Sequence, residues 1–343
     1  MWAREGNVER LQETAQALVK RAEPSVPEWA ARSVFDRIGR ALTLTPGPDF
    51  ATAVCEVARL ADAEKLASLT AYGQQVDVCA TLFAASDEAD EEFLACLLQE
   101  LVLRHENLER EPFASFWRMI KTRGHPLGLL PLRITSVEVS ITLWLPSYTW
   151  PGQVFHPAGT RRDDGASDEP DAAQVGSLGR ETTAPADRER LRSAVATWLD
   201  ESNGRAETRV FDLRVDQSPR SLADVLADTG LECLGGRSPT RVDAISPSHA
   251  FDALFPAAST GGAYDHGRYG AYGRLNTWQT MSALVGAHTD EPIEQVAELA
   301  ERSRWFRVDT DSEWFYEVAW DIGLAAISPD GRRLAVLAAT DSD

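Results

Sequence analysis

The chain has 343 residues, with 53 acidic against 34 basic side chains and a formal net charge of −19 at pH 7. That length suits two domains, and a hydrophobic content of 43% suits a globular protein. The charge repels nucleic acid and anionic membrane and argues against both as partners.

The opening residues, MWAREGNVERLQETAQALVKRAEP, carry acids throughout and no apolar core, so they do not read as a signal or transit peptide. No run of 18 apolar residues is present to span a membrane. Cys55, Cys79, Cys96 and Cys233 form no C-x-x-C pair, and reduced thiols in a cytoplasmic protein are expected. The only lysines are Lys20, Lys65 and Lys121, and alanine is abundant, which suggests a high-GC coding bias of the actinobacterial kind.

Residues 1–125 read as successive helices. An apolar stripe at Val8, Leu11, Ala15, Leu18 and Val19 marks the first. Pro27 opens a second, with Trp29, Val34, Ile38 and Leu42 on one face. Asp49 is placed to cap a third, running to Leu60. Further helical patterns cover roughly 62–84, 88–110 and 112–122. The lengths resemble a HEAT or armadillo array, but no motif repeats at a fixed period, and a plain bundle fits equally.

After Gly124 the pattern changes, and a domain covering 126–343 is expected. Residues 133–145, RITSVEVSITLWL, alternate and predict a half-buried strand. Residues 157–187 hold almost no large apolar group and are expected to be a disordered loop. A helix is expected at 187–202, a strand at 207–215 and a helix at 220–228. More helices follow at 247–255, 270–286 and 291–302, and strands at 314–327 and 332–341. Strands followed by clustered helices and a closing hairpin give an α+β class with a small, mostly antiparallel sheet.

The stretch GGAYDHGRYGAYGR, residues 261–274, is unusual in composition. It matches neither the dinucleotide fingerprint nor the P-loop, because it has no G-x-G and Gly267 is followed by Arg268 and Tyr269. It reads as a loop running into a helix N-terminus, whose free N–H groups favour an anion. Arg268 and Arg274 would add charge, and Tyr264, Tyr269 and Tyr272 would add stacking faces. His266 is the candidate for proton transfer. The alternative is a close-packed helix start whose arginines pair with the chain's own carboxylates.

GGAY, then GAYGRL with a tryptophan in the next turn, and the ending VAWDIGLAAISPDGRRLAVLAATDSD resemble an uncharacterised actinobacterial family carrying a domain of unknown function. The resemblance covers residues 261–343 and implies no activity.

Other constellations are weaker. His105-Glu106-Asn107-Leu108-Glu109 is H-E-x-x-E, not the zinc motif. Asp309, Asp311 and Glu313 imitate a calcium loop, but Trp314 stands where its glycine belongs. His249 follows Ser246 at a helix start and lacks a recognisable nucleophile. Trp144 and Trp150 flank a proline-containing turn and are expected to be partly exposed. No metal or cofactor is expected.

In the closing hairpin, Ser328-Pro329-Asp330-Gly331 reads as a turn, with a three-residue loop pairing Ser328 with Arg332. Leu324 would then face Val336, and Glu317, Asp321, Asp341 and Asp343 would gather on one face as an acidic cluster. The function expected is a binding protein, regulatory or immunity-like, for a basic partner. The alternative is an enzyme on a small anionic substrate held by 261–274.

Overall fold

A computed structural model describes residues 7–20, 28–60, 62–85, 87–105, 107–146, 148, 174–214, 220–315 and 320–342. They divide into two compact units. The first runs to Ile134 and includes Tyr148 and Tyr269–Ala271; the second holds the remaining described residues from Thr135 onward. The division therefore falls after Ile134 rather than at 125, and the chain returns briefly to the first unit. Among the described residues no helix is long and apolar enough to cross a membrane.

The first unit contains helices α1 (Val8–Lys20), α2 (Glu28–Leu44), α3 (Pro48–Ala58), α4 (Ala63–Gly73), α5 (Val76–Ala84), α6 (Glu91–His105) and α7 (Phe113–Thr122). The cap of α3 is Gly47 with Pro48 behind it; Asp49 lies inside the first turn and does not cap. The single pattern at 62–84 is two helices. Gln74 stands at the break, where its amide donates to the carbonyls of Thr43 (2.9 Å) and Thr45 (2.7 Å) and accepts from Gly47 N–H. Residues 93–103 of α6 are all buried, so α6 is the central helix of a bundle.

The second unit is α+β. Its strands are β1 (Gln174–Val175), β2 (Ser177–Glu181), β3 (Arg205–Arg214), β4 (Arg220–Ser221), β5 (Arg241–Ile245), β6 (Arg304–Asp309), β7 (Asp321–Ile327) and β8 (Arg333–Thr340). Six form one antiparallel sheet in the order β2-β3-β8-β7-β6-β5, and β1 pairs with β4. The helices are α8 (Pro185–Arg192), α9 (Ala196–Glu201), α10 (Leu222–Ala227), α11 (Pro247–Thr260), α12 (Tyr269–Val285) and α13 (Ile293–Arg302). On one sheet face Phe211, Phe306, Ile327, Leu334 and Val336 pack with Leu222, Val225 and Leu226 of α10. α11 also packs on β6 and β7, and the Trp305 indole N–H donates to the Ala300 carbonyl of α13 at 2.8 Å. The sheet is therefore buried on both faces.

Several expectations are corrected. Residues 133–145 hold no strand: short 3-10 turns occupy Ser136–Glu138 and Ile141–Trp144. Buried Val137, Glu138, Ile141 and Leu145 recur at helical rather than strand spacing. Of the loop expected at 157–187, residues 157–173 lie outside the described residues, whereas 174–187 hold β1, β2 and the start of α8. Pairing with β4 and β3 anchors this segment through backbone hydrogen bonds rather than large side chains. Trp314 and Phe315 precede β7 in a turn. The strands β5 and β6 were not expected at all.

The closing hairpin also differs. Leu324 pairs with Leu337, Ala326 with Ala335 and Ile327 with Leu334, one residue away from the expected register. The Ser328–Gly331 turn forms, with Gly331 N–H bonded to Ser328 O at 2.9 Å and Gly331 at φ +70°. Ser328 then pairs with Arg333 instead of Arg332: its N–H donates to Arg333 O at 3.0 Å, and its hydroxyl accepts from Arg333 N–H at 3.0 Å. Both faces are buried along β7 and β8, so a one-residue slip exposes no apolar side chain and the hydrophobic pattern cannot choose.

Candidate functional site

The unusual 261–274 stretch closes on itself. α11 ends at Gly261, φ +83°. The buried Asp265 carboxylate accepts from the N–H groups of Gly262 (3.1 Å) and Gly267 (2.7 Å). A Cβ on Gly261 would lie 1.6 Å from Asp265 Oδ1. Arg268 N–H donates back to Ala258 O at 2.8 Å. The glycines thus serve a tight turn around a carboxylate of the chain itself. Tyr264 is 60% exposed, His266 is exposed, and the Arg268 guanidinium sits 4.6 Å from the Tyr272 ring centroid in a cation–π contact.

Arg274 does not face a ligand pocket. It is fully buried and grips Glu138 with two bonds, Nε to Oε1 at 2.6 Å and Nη2 to Oε2 at 3.0 Å. The Trp278 indole N–H donates to the same carboxylate at 2.9 Å, and Thr135 N–H adds 2.7 Å. The bond from Thr135 N–H, one half of a capping box, helps fix the carboxylate that Arg274 meets. The expectation of a ligand-facing Arg274 fails because an internal carboxylate satisfies its charge.

The N-terminus of α12 is likewise occupied. Tyr269–Ala271 belong to the first unit, and there Gly270 N–H donates to Glu100 Oε1 of α6 at 2.7 Å. A Cβ on Gly270 would sit 2.8 Å from both Glu100 oxygens, so the glycine admits the carboxylate. Burial raises the Glu100 pKa, opposed by Arg104 and by the Gly270 N–H. Tyr269 is buried at φ +50°, the one non-glycine residue with positive φ among the described residues, and burial pushes its phenol pKa up. It is a packed side chain rather than a stacking face for a ligand. At the other end of α12, in the second unit, Arg333 donates to the carbonyls of Leu284 (2.6 Å) and Ala283 (2.7 Å). The positive helix end receives a carboxylate and the negative end a guanidinium.

The acidic cluster does not gather. Glu317 and Asp343 lie outside the described residues. Asp321 pairs with Thr340 and accepts its hydroxyl, while Asp341 follows Thr340 and so points to the opposite face. Asp341 is fully buried, and its Oδ2 accepts from Ser202 Oγ and Ala263 N–H, both at 2.7 Å. Its Oδ1 and the indole N–H of buried Trp198 have no hydrogen-bond partner among the described residues. Both residues approach the position a Cβ on Gly262 would take: Asp341 Oδ2 at 2.0 Å and Trp198 Cδ1 at 3.1 Å.

Of the remaining candidates, Glu106 and Trp150 lie outside the described residues, and Trp144 is half-buried. His105 is held below its usual pKa by burial and by Arg104 and Arg110. His249 is exposed and meets the Ser246 hydroxyl, its own helix cap, at 3.2 Å. Sequence reasoning missed Glu100, Glu138, Asp265 and Ser202. Only Glu138 carried a local signal, the T-x-x-E spacing from Thr135.

The whole chain, residues 1–343, matches the family of unknown function DUF6183, and the protein belongs to that family. The membership extends the resemblance from residues 261–343 to the full length. No curated protein and no solved structure matches the chain.

Proposed function

We propose that the protein is a binding protein that engages a basic partner, in a regulatory or immunity-like role. The observation that carries this reading is the outer face of α13. Glu294, Glu298 and Glu301 stand exposed at helical spacing, and none forms an ion pair among the described residues. Like charges four apart weaken a helix by a few tenths of a kcal/mol. The apolar face of the same helix, Ile293, Val296, Ala297 and Ala300, is buried and holds it in place. An exposed acidic stripe on a helix held by its packed face is suited to steering a cationic surface. The rival reading, an enzyme gripping a small anion with 261–274, loses support because Arg274 and the α12 N-terminus already hold the chain's own carboxylates.

A reducing, cytoplasmic compartment fits the four free cysteines. Burial pushes the Cys55 and Cys79 thiols up to about 12, which leaves them protonated and poorly reactive near neutral pH.

The test is co-purification on the tagged protein at low salt, followed by elution with rising salt. A basic partner should release as salt rises and should be lost in the triple variant Glu294→Gln, Glu298→Gln, Glu301→Gln. Retention of that partner by the triple variant overturns the reading.

A further inference from the structure

Many arginines in the described chain pair with carboxylates: Arg59 with Asp90, Arg123 with Glu88 and Glu91, Arg307 with Asp243. Arg302 and Arg304 do not, for neither forms an ion pair among the described residues. Both are exposed, yet both are anchored through one nitrogen. Arg302, the last residue of α13, donates Nε to Glu298 O at 3.3 Å. Arg304, the first of β6, donates Nη1 to Gln174 O at 3.0 Å and lies 5.4 Å from the Phe306 ring centroid. A helix and a strand joined by the single residue Ser303 position the pair. Rigid elements hold a binding group better than loops do.

The two arginines line one cleft of about 360 Å³. Buried Val175 and Ile327 and the Ser328–Gly331 turn complete its wall. The volume lies within the range of small-molecule sites. The one carboxylate in the lining, Asp330, is occupied by its own turn: it accepts the Ser328 hydroxyl at 2.6 Å and Arg332 N–H at 3.1 Å. The cleft thus has two cations with spare donors and an apolar wall, in a chain whose net charge is −19.

We propose that this cleft binds a small organic anion. Its carboxylate or phosphate group meets the guanidinium groups of Arg302 and Arg304, and its carbon skeleton lies against exposed Pro329 of the turn. Guanidinium forks favour both anion types, and charge-assisted bonds are the strong ones. The site is separate from 261–274 and does not depend on the basic-partner reading.

Isothermal titration at constant ionic strength decides the matter, with citrate as the carboxylate probe and ribose 5-phosphate as the phosphate probe. Saturable one-to-one binding of either is expected, and which one binds identifies the headgroup. The affinity should fall about tenfold or more in Arg302→Gln. That variant removes an exposed side chain at a helix end and should melt with the parent. Arg304→Gln should show the same loss, and Asp330→Asn should bind more tightly. No saturable binding of either probe, or an unchanged affinity in Arg302→Gln, overturns the proposal.

Discussion

The Gly270 N–H donates to Glu100 Oε1 at 2.7 Å across 170 residues of chain. A carboxylate from α6 thus takes the place that an external anion would occupy at a helix N-terminus. The glycine is required for it, since a Cβ there would contact both carboxylate oxygens.

Removing that carboxylate in Glu100→Ala strands a buried donor and should cost about 1–3 kcal/mol in urea unfolding. Glu100→Gln behaves differently, because it keeps an acceptor without a charge. The Glu100 pKa is raised in the fold, chiefly by burial, above its ordinary value of 4.5. Between the unfolded and folded pKa the native state binds the extra proton. The contribution of Glu100 to stability is therefore greatest below about pH 4.5 and declines as pH rises through the folded value. The stability of Glu100→Gln relative to the parent should rise over that window. A difference that stays flat or falls with pH contradicts the burial of a strained charge.

Arg274 and Glu138 should prove strongly coupled. Arg274→Ala leaves a fully buried carboxylate without its cation and should cost about 3–5 kcal/mol. The double variant Arg274→Ala, Glu138→Ala should cost less than the two single changes added together. Additive losses in denaturant titration would show that the pair does not act as a unit.

Two glycines separate backbone handedness from close approach. Gly230 has φ +68° with nothing within 4 Å of an added Cβ, and Gly230→Ala should cost about 1–2 kcal/mol. Gly261 has φ +83°, and its added Cβ would collide with Asp265 and Gly267 N. Gly261→Ala should cost about 1–3 kcal/mol more, as overpacking does. Equal melting temperatures for the two variants would remove the steric argument.

The helices were legible because an amphipathic helix writes its burial into its own spacing. Ile293, Val296, Ala297 and Ala300 of α13 sit three or four apart and are the residues found buried. The segment 133–145 alternates like a strand, yet the T-x-x-E spacing of Thr135 and Glu138 marks a helical turn there, and Thr135 N–H bonds the Glu138 carboxylate. The strands β5 and β6, RVDAI and RWFRVD, were missed for a related reason. Each carries charge inside an apolar run, and Arg307 is buried in β6 only because Asp243 on paired β5 neutralises it at 2.7 Å.

The sequence by itself determined the α+β class, the early helices and the closing turn, because propensity, periodicity and turn chemistry act over a few residues. Only the tertiary structure decided the β7–β8 register, since two buried faces erase the alternation that would choose it. It also decided that Glu138 meets Arg274 and Glu100 meets Gly270. Those pairings join residues 136 and 170 positions apart, where no local pattern can carry the information and only the packed fold brings the charges together.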